Sequence, residues 1–322
     1  MAELAAVCDV DRERLDKAAA TYNVAVYESL EDMLRKERGN IDVVSICTPN
    51  GLHADQTILA LDHGYHVLCE KPMALSSADC ERMIDASERN NRHLFVVKQN
   101  RFNPPVQALR KLLKEEKLGR ILSVQLNCYW SRPDEYYRSS KWKGTLKMDG
   151  GTLFTQYSHF IDLLCWLFGP ITRSAGYRAN RMLRKEIEFE DCGYAGIVFE
   201  SGVIGSINYS INCTTRNMEG SILVVGEKGT VKIGGQYLNK LDYQDIKGYV
   251  VEPIEESRGS NNYGFYQGSM SNHDKVYRNV IGVLQGTEEV ATNGAEAMKS
   301  IQAIELIYQA SVWCETEIRN PL

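Results

Sequence analysis

Short apolar runs alternate with longer amphipathic stretches through the first third of the chain. The pattern predicts a strand over Glu3–Asp9, a helix over Asp11–Tyr22, a short strand over Val24–Tyr27 and a helix capped by Ser29 that runs to about Lys36. Ile41–Cys47 reads as a buried strand that stops at Thr48-Pro49-Asn50-Gly51, with a helix following to His63. A strand over Tyr65–Cys69, a helix from Ser77 to about Asn90 and a strand over His93–Val97 complete the series. Strands alternating with helices of this length imply a parallel, doubly wound sheet.

The pattern changes after Pro104-Pro105. A helix is expected to about Glu116, and Gly119-Arg120 opens a strand through Trp130. From Ile171 to Val251 several strands are separated by turn signals such as Glu200-Ser201-Gly202 and Glu227-Lys228-Gly229. Residues 192–199 and 203–211 read as a hairpin. Helices are expected from about Ser271 to Leu284 and from Ala295 to Glu315. The fold class is therefore α/β: a Rossmann-like parallel sheet over residues 1–103, then an α+β domain with a large, mostly antiparallel sheet over 104–322. The last helix is placed to pack back on the first domain.

Two domains suit a chain of 322 residues, and 25% charged with 43% apolar residues is ordinary for a globular protein. A net charge of -5 argues against nucleic acid as the main partner. No apolar run approaches the roughly 18 residues of a membrane span, and no signal peptide opens the chain. Nine cysteines are scattered without a CxxC pair, which argues against a zinc ribbon and favours reduced thiols in the cytoplasm. No metal is expected.

Glu70-Lys71-Pro72 places a charge at the mouth of a buried strand. Ligands of open α/β sheets bind outside the carboxyl ends of the strands, so Lys71 is expected where a cofactor and a substrate meet. The alternative is a surface lysine after an edge strand. Asp9 ends the first expected strand, where a Rossmann fold holds the adenosine ribose; its charge favours NAD over NADP. The alternative for Asp9 is a helix N-cap before Asp11-Arg12-Glu13. No GxGxxG occurs. The chain opens at what reads as the second strand of the fold; the expectation is a truncated form lacking roughly 30 residues of a βαβ unit, with a natural variant that lost the glycine loop as the alternative. Thr48, Pro49 and Asn50 would line the nicotinamide-ribose side, or serve only as a turn and helix cap.

A second cluster runs from Asp149-Gly150-Gly151 through Thr155, Gln156, Ser158 and His159 to Asp162. Helical spacing puts Thr155, His159 and Asp162 on one face. A lone histidine on an apolar helix is usually a satisfied core residue; its place after Gly-Gly favours function.

Together Thr48-Pro49-Asn50, Glu70-Lys71-Pro72 and Gly-Gly before the His159 helix resemble the Gfo/Idh/MocA oxidoreductases, over essentially the whole chain. The stretch Val97–Pro105, with Gln156, Ser158, His159 and Asp162, is similar to the branch of UDP-N-acetylglucosaminuronate 3-dehydrogenases. The resemblance implies NAD-linked oxidation of C3 of a UDP-N-acetylhexosaminuronic acid, giving a 3-keto nucleotide sugar for surface-polysaccharide (lipopolysaccharide) synthesis. It implies Lys71 and His159 as catalytic residues. Asp9, Thr48, Pro49, Asn50, His53, Glu70, Lys71 and Asn100 would hold the cofactor. Lys71, Arg101, Asn103, Thr155, Gln156 and His159 would hold the substrate.

An imidazole titrates near working pH unaided, whereas an amine must be brought down by burial or nearby cations, so His159 is the favoured base and Lys71 the group polarising the oxygen. Many family members carry an aspartate one turn before this histidine; Thr155 stands there, which puts a polyol-dehydrogenase reading in doubt. A diphosphate and a carboxylate call for cations, and Arg101, Arg132, Arg138, Lys141, Lys143, Arg181 and Arg216 are available. Other readings of the same fold are a different sugar dehydrogenase, an NAD-dependent glycosidase and a non-enzymatic sugar sensor. The small-molecule substrate is the expected partner, and a homodimer or homotetramer would cover the bare face of the large sheet.

Overall fold

The protein is described by a computed structural model covering residues 2–315 apart from 183, 255–258, 263 and 265. Contacts divide the chain into two compact units: residues 1–97 with Tyr277–Met298, and Lys98–Val276 with the chain from Lys299.

In the first unit β1 (Ala6–Cys8), α1 (Arg12–Tyr22), β2 (Ala25–Tyr27), α2 (Leu30–Lys36), β3 (Val43–Ile46), α3 (His53–Asp62), β4 (His66–Cys69), α4 (Ser77–Arg89) and β5 (Leu94–Val96) alternate as expected. Each strand is shorter than its apolar run. The helices start where short polar side chains bond the free amides of the first turn. Asp11 accepts from Glu13 N and Arg14 N, Ser29 from Asp32 N, and Ser76 from Asp79 N. Asn23 ends α1 in the left-handed region with φ 52°. All strand pairs are parallel, but they form two sheets: β1 with β2, and β3 with β4 and β5. No described strand joins β1 to β3. The core holds Leu15, Leu34, Leu61, Val67, Met73 and Met83.

The second unit begins with a 3-10 turn, Gln99–Phe102, and α5 (Pro104–Lys114). β6 (Ile121–Tyr129), α6 (Asp134–Arg138), α7 (Thr152–Thr155) and α8 (Ser158–Phe168) follow. Then come β7 (Ile171–Ala179), β8 (Cys192–Phe199), β9 (Ile204–Ser210), β10 (Glu219–Gly226), β11 (Gly229–Gly234), β12 (Lys240–Ile246), β13 (Ser260–Asn262) and β14 (Gln267–Met270). The chain closes with α9 (His273–Leu284), α10 (Gly294–Ala310) and β15 (Ser311–Trp313).

An eight-stranded sheet orders these strands β12-β11-β10-β6-β9-β8-β7-β15. It is mostly antiparallel; β6 with β9 and β7 with β15 are the parallel pairs. The expected hairpin forms, with Cys192 opposite Ser210 and Val198 opposite Ile204. Alternation decides its buried face: Val124, Leu126 and Cys128 of β6 and Ala195, Ile197 and Phe199 of β8 are buried. Helix α8 covers that face at Gly220, where an added Cβ would lie 2.8 Å from the Phe160 ring.

Two expectations needed correction. The helix expected over Ala295–Glu315 ends at Ala310, and Ser311–Trp313 joins the sheet beside β7. Val312 and Trp313 suit a pleated strand, and Ser311 Oγ bonds Ile307 O at 2.6 Å at the changeover. The helical spacing of 152–162 belongs to two helices, because Gln156 and Tyr157 interrupt it between α7 and α8. Thr155 and His159 are therefore not successive turns of one helix. Tyr277–Met298 joins the first unit, where Val96 N bonds Thr292 O and the Tyr277 hydroxyl lies 3.3 Å from Ser45 Oγ.

Candidate active-site residues

In the first unit His53 ties together two loops that leave the carboxyl ends of neighbouring strands. Its Nδ1 lies 2.7 Å from Pro72 O, after β4, and its Nε2 lies 2.9 Å from Thr48 O, after β3. Both partners are acceptors, which favours a doubly protonated ring. Burial works against that charge and outweighs it, leaving the imidazole below its ordinary value. Expected as a cofactor ligand, His53 has both ring nitrogens occupied by backbone. Thr48 Oγ1 donates to Gln56 Oε1 at 2.6 Å, and Pro49 leads into a 3-10 turn over Asn50–Leu52. Glu70 Oε2 accepts from Lys71 N at 3.1 Å, and the Lys71–Pro72 peptide is cis. Thr48, His53 and the Lys71-Pro72 loop thus form one group.

Asp9 follows β1, which belongs to the other sheet of this unit. Its Oδ1 accepts from Asp11 N at 2.9 Å, and Oδ2 stands 3.6 Å from Arg14 Nη1. The N-cap of α1 is Asp11. The helix-cap explanation of Asp9 is not the one the chain uses.

In the second unit the 3-10 turn is clamped to α8. Arg101 Nε and Nη2 donate to Asp162 Oδ2 and Oδ1, both at 2.8 Å, and Lys98 Nζ stands 3.3 Å from Oδ1 and 3.0 Å from Ser300 Oγ. The Arg101 guanidinium lies over Trp166, 5.0 Å from the ring centre. Expected as a substrate ligand, Arg101 spends this fork on Asp162. Asn103 is fully buried; its Nδ2 donates to Tyr237 O at 3.0 Å and its Oδ1 accepts from Asn272 Nδ2 at 2.8 Å. Asn100 differs: it is 2% exposed, and neither amide atom has a hydrogen-bond partner among the described residues.

Gly150 and Gly151 turn the chain into α7 with φ 88° and 120°, conformations that glycine adopts freely. The Tyr308 hydroxyl fills the space a Cβ on Gly151 would need, at 2.5 Å. That hydroxyl accepts from Leu153 N at 2.9 Å and donates to Glu190 Oε1 at 2.6 Å. Glu190 is fully buried, and its pKa is pushed up to about 7 by burial. Gln156 Oε1 accepts from Arg132 Nε at 2.6 Å, and Gln156 Nε2 donates to the Tyr136 hydroxyl at 3.0 Å. His159 is buried in the first turn of α8. The second unit thus gathers Arg132, Gln156 and Tyr136 in one cluster, with Thr155 and His159 on the same segment. No periodic signal marks Glu190 or Tyr308 along the chain. An acid leading into the apolar strand Cys192–Phe199 was the one available hint. A cavity of about 600 Å³ elsewhere in this unit, walled by Glu219, Lys232, Lys240 and Asp242, contains none of the expected residues.

Residues 1–98 match the family model described as oxidoreductase family, NAD-binding Rossmann fold, and residues 110–312 match its C-terminal alpha/beta domain. The chain belongs to the Gfo/Idh/MocA oxidoreductases. It is an NAD-dependent oxidoreductase. Its fold is similar to that of the WlbA dehydrogenase from Bordetella pertussis, solved with NADH and UDP-GlcNAcA: 38% identity, TM-score 0.84, 96% of this chain and 88% of that one. The WlbA dehydrogenase from Chromobacterium violaceum, solved with the same ligands, gives 36% identity and TM-score 0.84 over 96% and 86%. Among curated proteins, D-apiose dehydrogenase from Paraburkholderia graminis is 27% identical over 315 residues, 95% of this chain and 80% of that protein.

Residues of this Gfo/Idh/MocA chain fit NAD on two counts. The buried, unpartnered amide of Asn100 is the kind of polar group that a ligand completes. The loops after β3 and β4 stand at the carboxyl ends of parallel strands, the ligand side of such sheets. NAD supplies a hydride acceptor; proton handling and orientation fall to side chains.

Proposed function

We propose that this protein uses NAD to oxidise a sugar hydroxyl, C3 of a UDP-N-acetylhexosaminuronic acid, and yields a 3-keto nucleotide sugar for surface-polysaccharide synthesis. The observation that carries this reading is likeness along 96% of the chain to two dehydrogenases that hold UDP-GlcNAcA. His159 accepts the hydroxyl proton, and Lys71 polarises the oxygen. Asp9 takes the adenosine ribose, Thr48-Pro49-Asn50 the nicotinamide side, and Asn100 a polar edge of cofactor or substrate. Thr155 and Gln156 lie along the sugar. Arg101 and Asn103 act behind the site through Asp162 and Asn272. His53 sets the positions of the Thr48 and Lys71 loops.

The same reading extends to assembly. Tyr177, Tyr194, Ile204 and Tyr243 project from the face of the large sheet opposite its core and are each about half exposed or more. A second copy covers this face.

The test incubates the protein with UDP-N-acetylglucosaminuronate, NAD and 2-oxoglutarate as hydride sink, and follows the sugar by mass spectrometry. A product lighter by one hydrogen molecule supports the reading. NAD binding without that product removes the substrate assignment and leaves the family. Lys71→Ala and His159→Ala are each expected to lower kcat by about 100- to 10,000-fold while NADH still binds.

A further inference from the structure

Arg132 is a buried cation without a counter-charge. It is 2% exposed, and no aspartate or glutamate lies within ion-pair distance of it among the described residues. Its guanidinium is surrounded by rings: Trp130, Tyr136 and Tyr266 have their centres 4.8, 5.4 and 5.2 Å from Cζ. Neutral acceptors take part of its fork. Nε donates to Gln156 Oε1 at 2.6 Å, and Nη1 donates to Ser131 O at 2.8 Å and to Asn217 Oδ1 at 3.3 Å. Nη2 donates to no described residue. A second cation, Lys143 Nζ, stands over the same Tyr136 and Tyr266 rings at 4.2 and 5.8 Å.

Arginine cannot shed its proton, so burial without a carboxylate is costly. Ring faces offset only part of that cost. Contrast with Arg101 is direct: in the same unit, an equally buried arginine is matched by Asp162. A positive charge held with neutral acceptors on one side, and with an Nη2 that no described residue engages on the other, is arranged to receive an anion. We propose that Arg132, fixed by Gln156 and Asn217 and walled by Tyr136 and Tyr266, is the anion receptor of this protein and binds a carboxylate or phosphate of the substrate through Nη2. Gln156 lies three residues before His159 in the chain, so the receptor is built on the segment that carries the base. Sequence placed Arg132 among seven available cations; its missing counter-charge singles it out.

The inference rests on the proposed nucleotide-sugar reading, and the experiment separates the two. Binding to the NADH-loaded protein is measured by calorimetry for UDP-N-acetylglucosaminuronate, UDP-N-acetylglucosamine and UDP, with wild type, Arg132→Gln and Arg132→Lys. Thermal melts first confirm that each variant is folded. A carboxylate receptor predicts that Arg132→Gln weakens the uronate by about 100-fold and leaves the two uncharged-sugar ligands within about threefold, with Arg132→Lys between. A diphosphate receptor predicts equal loss for all three. Unchanged affinities in a folded Arg132→Gln protein overturn the proposal. If wild type binds no UDP ligand, the substrate reading fails by itself. The receptor is then judged with glucuronate and sulfate: thermal stabilisation of wild type that Arg132→Gln lacks retains it, and equal response in both proteins removes it.

Discussion

Arg101 grips Asp162 through two parallel hydrogen bonds of 2.8 Å, fixing the 3-10 turn over Gln99–Phe102 to helix α8. Burial alone would push the Asp162 carboxyl up; Lys98 and Arg101 outweigh it and hold it below the usual range. Asp162→Asn leaves two buried cations without their anion. The expected cost is about 3–5 kcal/mol, read as a lower denaturant midpoint with unchanged slope. Because the folded-state pKa is depressed, the stabilisation of wild type is present at neutral pH and is lost as pH falls below about 4. Asp162→Asn should show no such loss.

Asn100 sits on the turn that this ion pair holds, and its case is the reverse. A buried amide without partners costs stability in the ligand-free protein. Asn100→Ala should therefore melt at the same temperature as wild type or higher without ligand. Ligand stabilisation should shrink, since the hydrogen bonds that complete the amide are gone. Melting curves with and without NADH and the nucleotide sugar measure both effects. A large loss of stability in the ligand-free variant would mark Asn100 as a framework residue instead.

Much of this was legible in the sequence because the signals were local. Apolar runs located β3, β4 and β5, and the serine cap at Ser29 and the helix expected from Ser77 are starts that the structure keeps. The place of Lys71 just after β4 was readable because a charge follows a buried strand directly. What stayed hidden depends on partners far apart in sequence. Whether Arg101 faces a ligand or Asp162 depends on packing across 61 positions. The family resemblance alone named His53, and nothing in its neighbourhood announces that Pro72 O, 19 residues on, stands against its ring. The break between α7 and α8 escaped because the apolar spacing continues through Gln156 and Tyr157.

Gly151 should be intolerant of any side chain. Its φ of 120° lies where L-residues are strained, and a Cβ would meet the Tyr308 hydroxyl at 2.5 Å. Gly151→Ala is expected to cost about 1–3 kcal/mol from backbone strain, plus the displaced hydroxyl. The double variant Gly151→Ala/Tyr308→Phe removes the steric part but not the strain. It should therefore be less destabilised than the sum of the two single changes, a coupling that a double-mutant cycle by urea unfolding detects.

Tyr308 also carries Glu190, and that carboxyl gives the clearest pH signature. Burial is the largest influence and raises its pKa to about 7; bonds from Tyr308 and Tyr209, and Arg178 at 3.8 Å, offset burial only in part. The folded-state value lies above the ordinary 4.5, so the unfolded chain gives up this proton first as pH rises. Stability from Glu190 is then fully present below about pH 4.5 and is lost progressively as pH climbs to 7, by on the order of 3 kcal/mol. Glu190→Gln keeps an acceptor for the Tyr308 hydroxyl and has no charge to bury. It should melt well above wild type at pH 8 and close to it at pH 5. The difference between the two melting temperatures, followed across that range, should trace a single titration. A flat difference would mean that Glu190 keeps its ordinary carboxylate behaviour and that Arg178 balances its burial in full.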